Sequence, residues 1–196
     1  MDIILIRHGQ TEDNVRKVFS TKDTKLTDEG KEQIRRTKLF IDNLSFDKVY
    51  TSPLYRAIET MKILGLNAER EERIREVDFG LFEGNTYETI LDKFPEEAKL
   101  WNEDYINFIT PRGESIKLAY DRVTSFLEEL SERDEDVVLV CHDGVIRIAL
   151  SWVFDKIDYF FKFKVGNGSV NIVSIDKYGF KYIKKTNYSI TCAPSL

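Results

Sequence analysis

Both histidines of the chain stand just beyond the end of a short apolar run, where a side chain can contact a ligand. His8 follows Arg7 and the apolar run at residues 3–6, and His142 follows the apolar run at residues 137–141. Short β-branched runs that end in polar residues and glycine predict buried strands followed by loops. Ligands bind beyond the carboxyl ends of strands in open α/β sheets, so two parallel neighbouring strands would bring both imidazoles to one site.

Two arginines are placed to bind an anion at this site. Arg7 directly precedes the first histidine, and Gly9 lacks a side chain, so we expect the backbone there to approach a ligand. Ser52 and Pro53 predict a helix that starts directly after a second strand, with serine as its N-cap. Arg56 lies one turn inside that helix, whose N-terminus favours anions. The alternative for Arg56 is an ordinary solvated position.

Four segments resemble motifs of one enzyme family. They are residues 7–14, 52–60, 74–84 and 111–115. The Arg7-His8-Gly9 tripeptide and its surroundings resemble the Arg-His-Gly motif of the histidine phosphatase superfamily, which includes the cofactor-dependent phosphoglycerate mutases. The resemblance extends from the N-terminus to about Ser189.

The resemblance implies five catalytic residues, namely Arg7, His8, Arg56, Glu76 and His142. His8 would take the phosphoryl group, and His142 would steady the transferring group as a cation. Glu76 would protonate the leaving alcohol and then deprotonate the water that hydrolyses phospho-His8. The residues implied in phosphate binding are Arg7, Asn14, Arg56 and His142, with Asn14 as a neutral amide donor. The alternative for Glu76 is a solvated loop acid, as most glutamates are.

These residue types suit phosphoryl transfer, which needs cationic donors around three equatorial oxygens and an in-line nucleophile. A neutral imidazole is a good nucleophile when its second nitrogen donates to a fixed acceptor. An acid that works near neutral pH needs a raised pKa, which we expect a neighbouring phosphate dianion to provide at Glu76. The scheme needs no metal and no other cofactor. A two-histidine metal site is the rival interpretation, but Arg7 beside His8 disfavours a cation there.

We therefore predict a phosphomonoesterase that acts on a small phosphorylated metabolite through phosphohistidine at His8. The length of the chain and its motifs are similar to those of α-ribazole-phosphate phosphatases and of sugar-phosphate phosphatases. One alternative is a 2,3-bisphosphoglycerate-dependent phosphoglycerate mutase, and another is an inactive phospho-ligand-binding or signalling protein, which would not need Glu76. Thr21 and Asp143 stand where glycine is common in the family. The departure at Thr21 leaves the substrate specificity open. Asp143 adds a negative charge near the site, and the effect of that charge is left open.

The alternation of strands and helices predicts a three-layer α/β fold with a mostly parallel central sheet and helices on both faces. A small helical lid at about residues 77–115 and a C-terminal hairpin complete one domain at residues 1–190, followed by a tail at residues 191–196. Substrate selectivity is expected in the lid, although most of its aromatic residues should be core. Predicted lid helices span residues 86–94 and 96–108, and a long helix spans residues 115–133.

The charge and the apolar content of the chain indicate which classes of partner it can bind. The 196 residues carry a net charge of −5, which argues against nucleic acid and acidic membrane surfaces. No apolar stretch reaches membrane-spanning length, and the N-terminus lacks the features of a signal peptide. We therefore expect a cytoplasmic protein, and its two cysteines do not make a disulfide framework. Monomer and homodimer are both left open.

Overall fold

A computed structural model describes residues 1–190, which form one six-stranded sheet with helices on both faces. The strands are β1 (Asp2–Arg7), β2 (Lys48–Thr51), β3 (Glu69–Arg70), β4 (Val137–Cys141), β5 (Val170–Ile175) and β6 (Lys181–Tyr188). Their order across the sheet is β3-β2-β4-β1-β5-β6. The strands β1 to β4 are parallel, while β5 runs antiparallel to β1 and forms a hairpin with β6. The predicted mostly parallel sheet with a C-terminal hairpin is confirmed.

The helices are α1 (Glu12–Arg16), α2 (Asp28–Ile41), α3 (Tyr55–Leu64), α4 (Tyr87–Lys93), α5 (Pro95–Glu103), α6 (Ile116–Ser131) and α7 (Asp143–Trp152). Three 3₁₀ turns lie at Glu72–Ile74, Gly80–Phe82 and Ile157–Lys162. Side-chain caps explain where two of the long helices begin. Thr27 accepts a hydrogen bond from the Gly30 amide at α2, and Ser115 accepts one from the Leu118 amide at α6.

Alternating side chains of the central strands build two apolar layers. Ile3 and Leu5 face the layer covered by α6 and α7, whereas Ile4 and Ile6 face the layer that contains α2 and α3. A separate small cluster around Phe82 holds α4 and α5 together. This arrangement is the predicted three-layer fold with a helical lid.

The structure corrects several predicted boundaries. The helix expected from Pro53 begins at Tyr55, and its N-cap residue is Leu54 rather than Ser52. The second lid helix ends at Glu103 instead of residue 108, and α1 and the 3₁₀ turn at Ile157–Lys162 were not predicted. The predicted tail at residues 191–196 lies outside the described residues, and the single-domain boundary stays a prediction. Within residues 1–190, no helix is long and apolar enough to cross a membrane.

Candidate active site

The two histidines meet because β1 and β4 are parallel neighbours. Arg7 pairs with Cys141 at the ends of these strands, so His8 and His142 occupy equivalent next positions. Their ring centroids lie 5.3 Å apart with an interplanar angle of 58°. Both rings are buried. The predicted convergence of the two imidazoles is confirmed by this register.

A backbone carbonyl fixes the tautomer of His8. Its Nδ1 lies 2.8 Å from the Gly9 oxygen, and because a carbonyl only accepts, Nδ1 carries the proton. The lone pair of Nε2 is then the nucleophilic one. Burial lowers the pKa of His8 well below its usual value, and the positive charges of Arg56 and Arg7 lower it further. His8 is therefore a neutral imidazole, as predicted.

Gly9 lets two chain segments pack closely. A Cβ added at Gly9 would collide with the carbonyl of Gly30, and one at Gly30 would collide with the carbonyl of Gln10. The two glycines thus let the loop after β1 lie directly on the first turn of α2. The approach of the Gly9 backbone to a ligand stays a prediction.

Both predicted arginines are held by backbone carbonyls. Arg56 is buried, and its Nη1 donates to the Thr21 carbonyl at 2.9 Å, while Nη1 of Arg7 donates to the Val165 carbonyl. The Nε atoms of both arginines are buried and have no hydrogen-bond partner among the described residues. Since buried donors are rarely left unpaired, these N–H groups indicate an anion site. Thr21 therefore holds Arg56 through its backbone carbonyl, and this contact does not use its side chain.

Glu76 is held by backbone amides at the start of α7. The Gly144 amide lies 3.1 Å from Oε1 and 3.3 Å from Oε2, and the Val77 amide donates to Oε1 at 3.0 Å. A Cβ at Gly144 would collide with Oε1, so this glycine permits the contact. Burial raises the pKa of Glu76, and the neighbouring charge of Asp143 raises it further against the opposing effect of Arg56. The protein itself thus provides the raised pKa that we had assigned to a phosphate dianion.

Asp143 is one of the two departures from the family pattern. Its carboxylate lies 3.9 Å from Nη1 of Arg7 and 3.0 Å from Nε of Arg147. The contact with Arg147 is an ion pair that lacks the geometry of a hydrogen bond. Asp143 therefore partly offsets the positive charge of Arg7 while it favours the protonated form of Glu76. This is the local effect that the sequence left open.

Ser52 is a functional candidate that the sequence did not reveal. Its Oγ lies 2.7 Å from Nε2 of His142 and also accepts the Leu54 amide at 3.3 Å. The serine hydroxyl can donate its proton to Nε2, and in that tautomer His142 carries its own proton on Nδ1. That atom is buried and has no hydrogen-bond partner within residues 1–190.

The protein groups around His142 oppose a positive charge on its ring. Burial lowers the pKa of His142 well below its usual value, and the charges of Arg56, His8 and Arg7 lower it further. These groups favour a neutral imidazole, and the cationic role during phosphoryl transfer stays a prediction. A neutral His142 still donates one hydrogen bond, through Nδ1.

Asn14 is oriented by two donors. Its Oδ1 accepts the Thr11 amide at 3.1 Å and Nδ2 of Asn167 at 3.0 Å, so its own Nδ2 is the group that can donate to a ligand. Asn167 also lies 3.4 Å from the carbonyls of His8 and Gly9, and it was not predicted.

The predicted residues share one cavity of about 350 Å³. Arg7, His8, Asn14, Arg56 and Glu76 line it, and the fully buried ring of His142 lies 5.3 Å from that of His8. Within residues 1–190, no three side chains of histidine, cysteine, aspartate or glutamate are grouped as metal ligands. The arrangement combines a neutral nucleophile, two guanidinium groups, neutral donors and a carboxyl group with a raised pKa.

Comparison with known proteins agrees with this geometry. The family model "Histidine phosphatase superfamily (branch 1)" matches residues 3–188. The human 6-phosphofructo-2-kinase/fructose-2,6-bisphosphatase 1 is 36% identical over 156 residues, which are 79% of this chain and 33% of that protein. The chain thus spans about a third of the length of the curated relatives it matches.

Two solved structures resemble the whole fold. The α-ribazole phosphatase of Shigella flexneri has a TM-score of 0.89 and 27% identity, with 96% of each chain covered. The phosphoserine phosphatase of Entamoeba histolytica, solved with 3-phosphoglyceric acid, has a TM-score of 0.81 and 27% identity, with 95% of this chain and 96% of that chain covered. The chain belongs to branch 1 of the histidine phosphatase superfamily, as its motifs predicted.

Proposed function

We propose that the protein is a phosphomonoesterase that hydrolyses a small phosphorylated metabolite through a phosphohistidine at His8, without a metal. The observation that carries the proposal is the fixed tautomer of His8, with its proton held by the Gly9 carbonyl, next to two arginines with unpaired buried N–H groups. The similar solved phosphatases support the same reaction class.

In the first step, Nε2 of His8 attacks phosphorus and the bond to the leaving oxygen breaks. Arg7 and Arg56 donate to the equatorial oxygens, while Nδ1 of His142 and Nδ2 of Asn14 add neutral donors. Protonated Glu76 gives its proton to the leaving alcohol, so the alcohol departs neutral.

In the second step, ionised Glu76 takes a proton from water as the water oxygen attacks phosphorus. The bond between phosphorus and Nε2 breaks, which regenerates neutral His8 and protonated Glu76 and releases phosphate. The same carboxyl group serves as acid and then as base, and its raised pKa favours the protonated form that the first step needs.

The experiment is hydrolysis of p-nitrophenyl phosphate in excess EDTA by the intact protein and by His8→Ala. We expect activity to persist in EDTA, to vanish in the variant, and to pass through an acid-labile phosphoenzyme trapped by rapid quench. Activity abolished by EDTA would overturn the metal-free mechanism. An intact protein that is phosphorylated but does not turn over in water would favour the mutase alternative.

Substrate, location and assembly are parts of the same proposal. An α-ribazole phosphate or a sugar phosphate is the proposed substrate, since similar proteins are named for each. A cytoplasmic location is supported by Cys141, a free and buried thiol among the described residues. Cell fractionation tests the location, and sedimentation analysis distinguishes a monomer from a homodimer.

A further inference from the structure

An aromatic groove adjoins the active-site cavity on its outer side. This groove has a volume of about 370 Å³ and is lined by Tyr87, Trp101, Asn102, Tyr105 and Phe161. Trp101 and Phe161 also line the cavity that contains His8 and Arg56. The two spaces are therefore neighbours that share an aromatic boundary.

The wall of the active-site cavity combines charged catalytic groups with aromatic side chains. His8 and the two arginines line it together with Phe19, Phe79, Trp101, Phe160 and Phe161. Phe19 packs against Phe79 and Trp101, with ring centroids 4.6 and 5.7 Å apart. A phosphate bound to the arginines would thus direct the rest of its substrate toward an aromatic wall.

Two distant chain segments form the rim of the groove. Tyr105 follows α5, and Phe161 lies in the 3₁₀ turn after α7; their rings meet edge to face at 4.8 Å. Both side chains keep large exposed fractions, 45% for Tyr105 and 52% for Phe161. Large aromatic surfaces left exposed beside a catalytic cavity are typical of a binding surface.

We propose that the leaving group of the substrate carries a flat aromatic or heteroaromatic ring that lies between Trp101 and Phe161. The inference rests on the proposed function and names the substrate class of that same site. Offset or edge-to-face contact with several rings favours an aromatic group. A polyol in the same place would lack the ring-to-ring contact with these side chains. Among the two proposed substrate types, this favours the one with a heteroaromatic base over a simple sugar phosphate.

The test compares three esters with the same type of leaving oxygen, so that chemistry is constant and only the distal group differs. They are propyl phosphate, 3-phenylpropyl phosphate and 3-cyclohexylpropyl phosphate. We expect the phenyl ester to have a kcat/KM at least about tenfold above that of the propyl ester, which is the effect of burying one ring. The cyclohexyl ester should fall between them, because it has the apolar area without the flat ring.

Phe161→Ala is the main variant, since its half-exposed ring can be removed with little effect on folding. It should lose most of the preference for the phenyl ester while the inhibition constant of inorganic phosphate stays unchanged. Phe154→Ala is the matched control, because Phe154 is also half-exposed but lines neither space. Equal rates for the phenyl and propyl esters, or for the phenyl and cyclohexyl esters, would overturn the inference.

Binding separates this inference from the proposed function. If none of the esters is hydrolysed, calorimetric titration of His8→Ala with the same three esters decides the matter. A preference for the phenyl ester in binding supports the aromatic groove even though the proposed reaction fails. Equal affinities overturn it.

Discussion

Replacing Ser52 by alanine tests how the site orients His142. The Ser52 hydroxyl lies 2.7 Å from Nε2 of His142, and both residues are buried. Ser52→Ala removes this donor and leaves Nε2 as a buried acceptor without a partner. His142 is then free to move its proton from Nδ1 to Nε2, which would turn a lone pair toward the phosphoryl oxygens.

The size of the effect follows from the cost of the lost bond. Leaving a buried polar atom unsatisfied costs roughly 1–3 kcal/mol. At about 1.4 kcal/mol per factor of ten, a loss that falls on the transition state lowers kcat by about 5- to 150-fold. We expect most of the loss in kcat, because the Nδ1 donor matters most as charge develops on the transferring group.

The assay combines kinetics with a direct view of the tautomer. Steady-state hydrolysis of p-nitrophenyl phosphate gives kcat and KM, and ¹⁵N NMR of the His142 ring reports which nitrogen is protonated. Ser151→Ala is the control, since Ser151 is equally buried and its Oγ has no hydrogen-bond partner in the described part of the chain. A Ser52→Ala variant with unchanged kcat and an unchanged His142 tautomer would refute the role given to Ser52.

Three further variants test the carboxyl group and its support. Glu76→Gln should lower kcat for an alkyl phosphate by about 10²–10⁴-fold, with a smaller loss for p-nitrophenyl phosphate, whose leaving group needs less protonation. Asp143→Asn removes a charge that raises the pKa of Glu76. The rate of the first step, which needs protonated Glu76, should therefore begin to fall at a lower pH in this variant; a pH–rate profile of single-turnover phosphorylation checks the sign. Gly144→Ala should lower kcat and leave most of the thermal stability, because its new Cβ collides with Oε1 of Glu76; activity together with the melting temperature distinguishes this from misfolding.

The sequence predicted what depends on strand ends and local motifs. His8 and His142 follow strands whose apolar runs are continuous, and the parallel pairing of those strands was enough to bring the rings together. The roles given to Arg7, Arg56 and Glu76 came from a resemblance, and the structure places all three at one cavity. The carbonyl partners of the arginines could not be predicted, because those carbonyls belong to loops distant along the chain.

Ser52 and His142 show why the remaining features could not be predicted. A serine before a proline is a strong local signal for a helix N-cap, but the contact with His142 uses the same hydroxyl and the helix begins later. The charge of His142 depends on its burial and on four cationic or titratable neighbours that only the folded chain assembles. The N-cap propensity of Ser52 and the family role of His142 are therefore incomplete predictors, because neither includes the neighbours that surround these residues in the folded chain.

One physical cause accounts for the protonation states of all three titratable catalytic groups. Burial disfavours the charged form of every group, so it lowers the pKa values of His8 and His142 and raises that of Glu76. The buried cation Arg56 opposes the effect on the glutamate, but Asp143 adds a like charge beside it. Among the predicted catalytic residues, Arg7 and Arg56 therefore carry the fixed positive charge, while burial favours the neutral forms of His8, His142 and Glu76. Asp143 and Arg147 line the same cavity as an ion pair. The arginines can thus bind the anion, while burial favours the form of His8 with a free lone pair and the protonated form of Glu76.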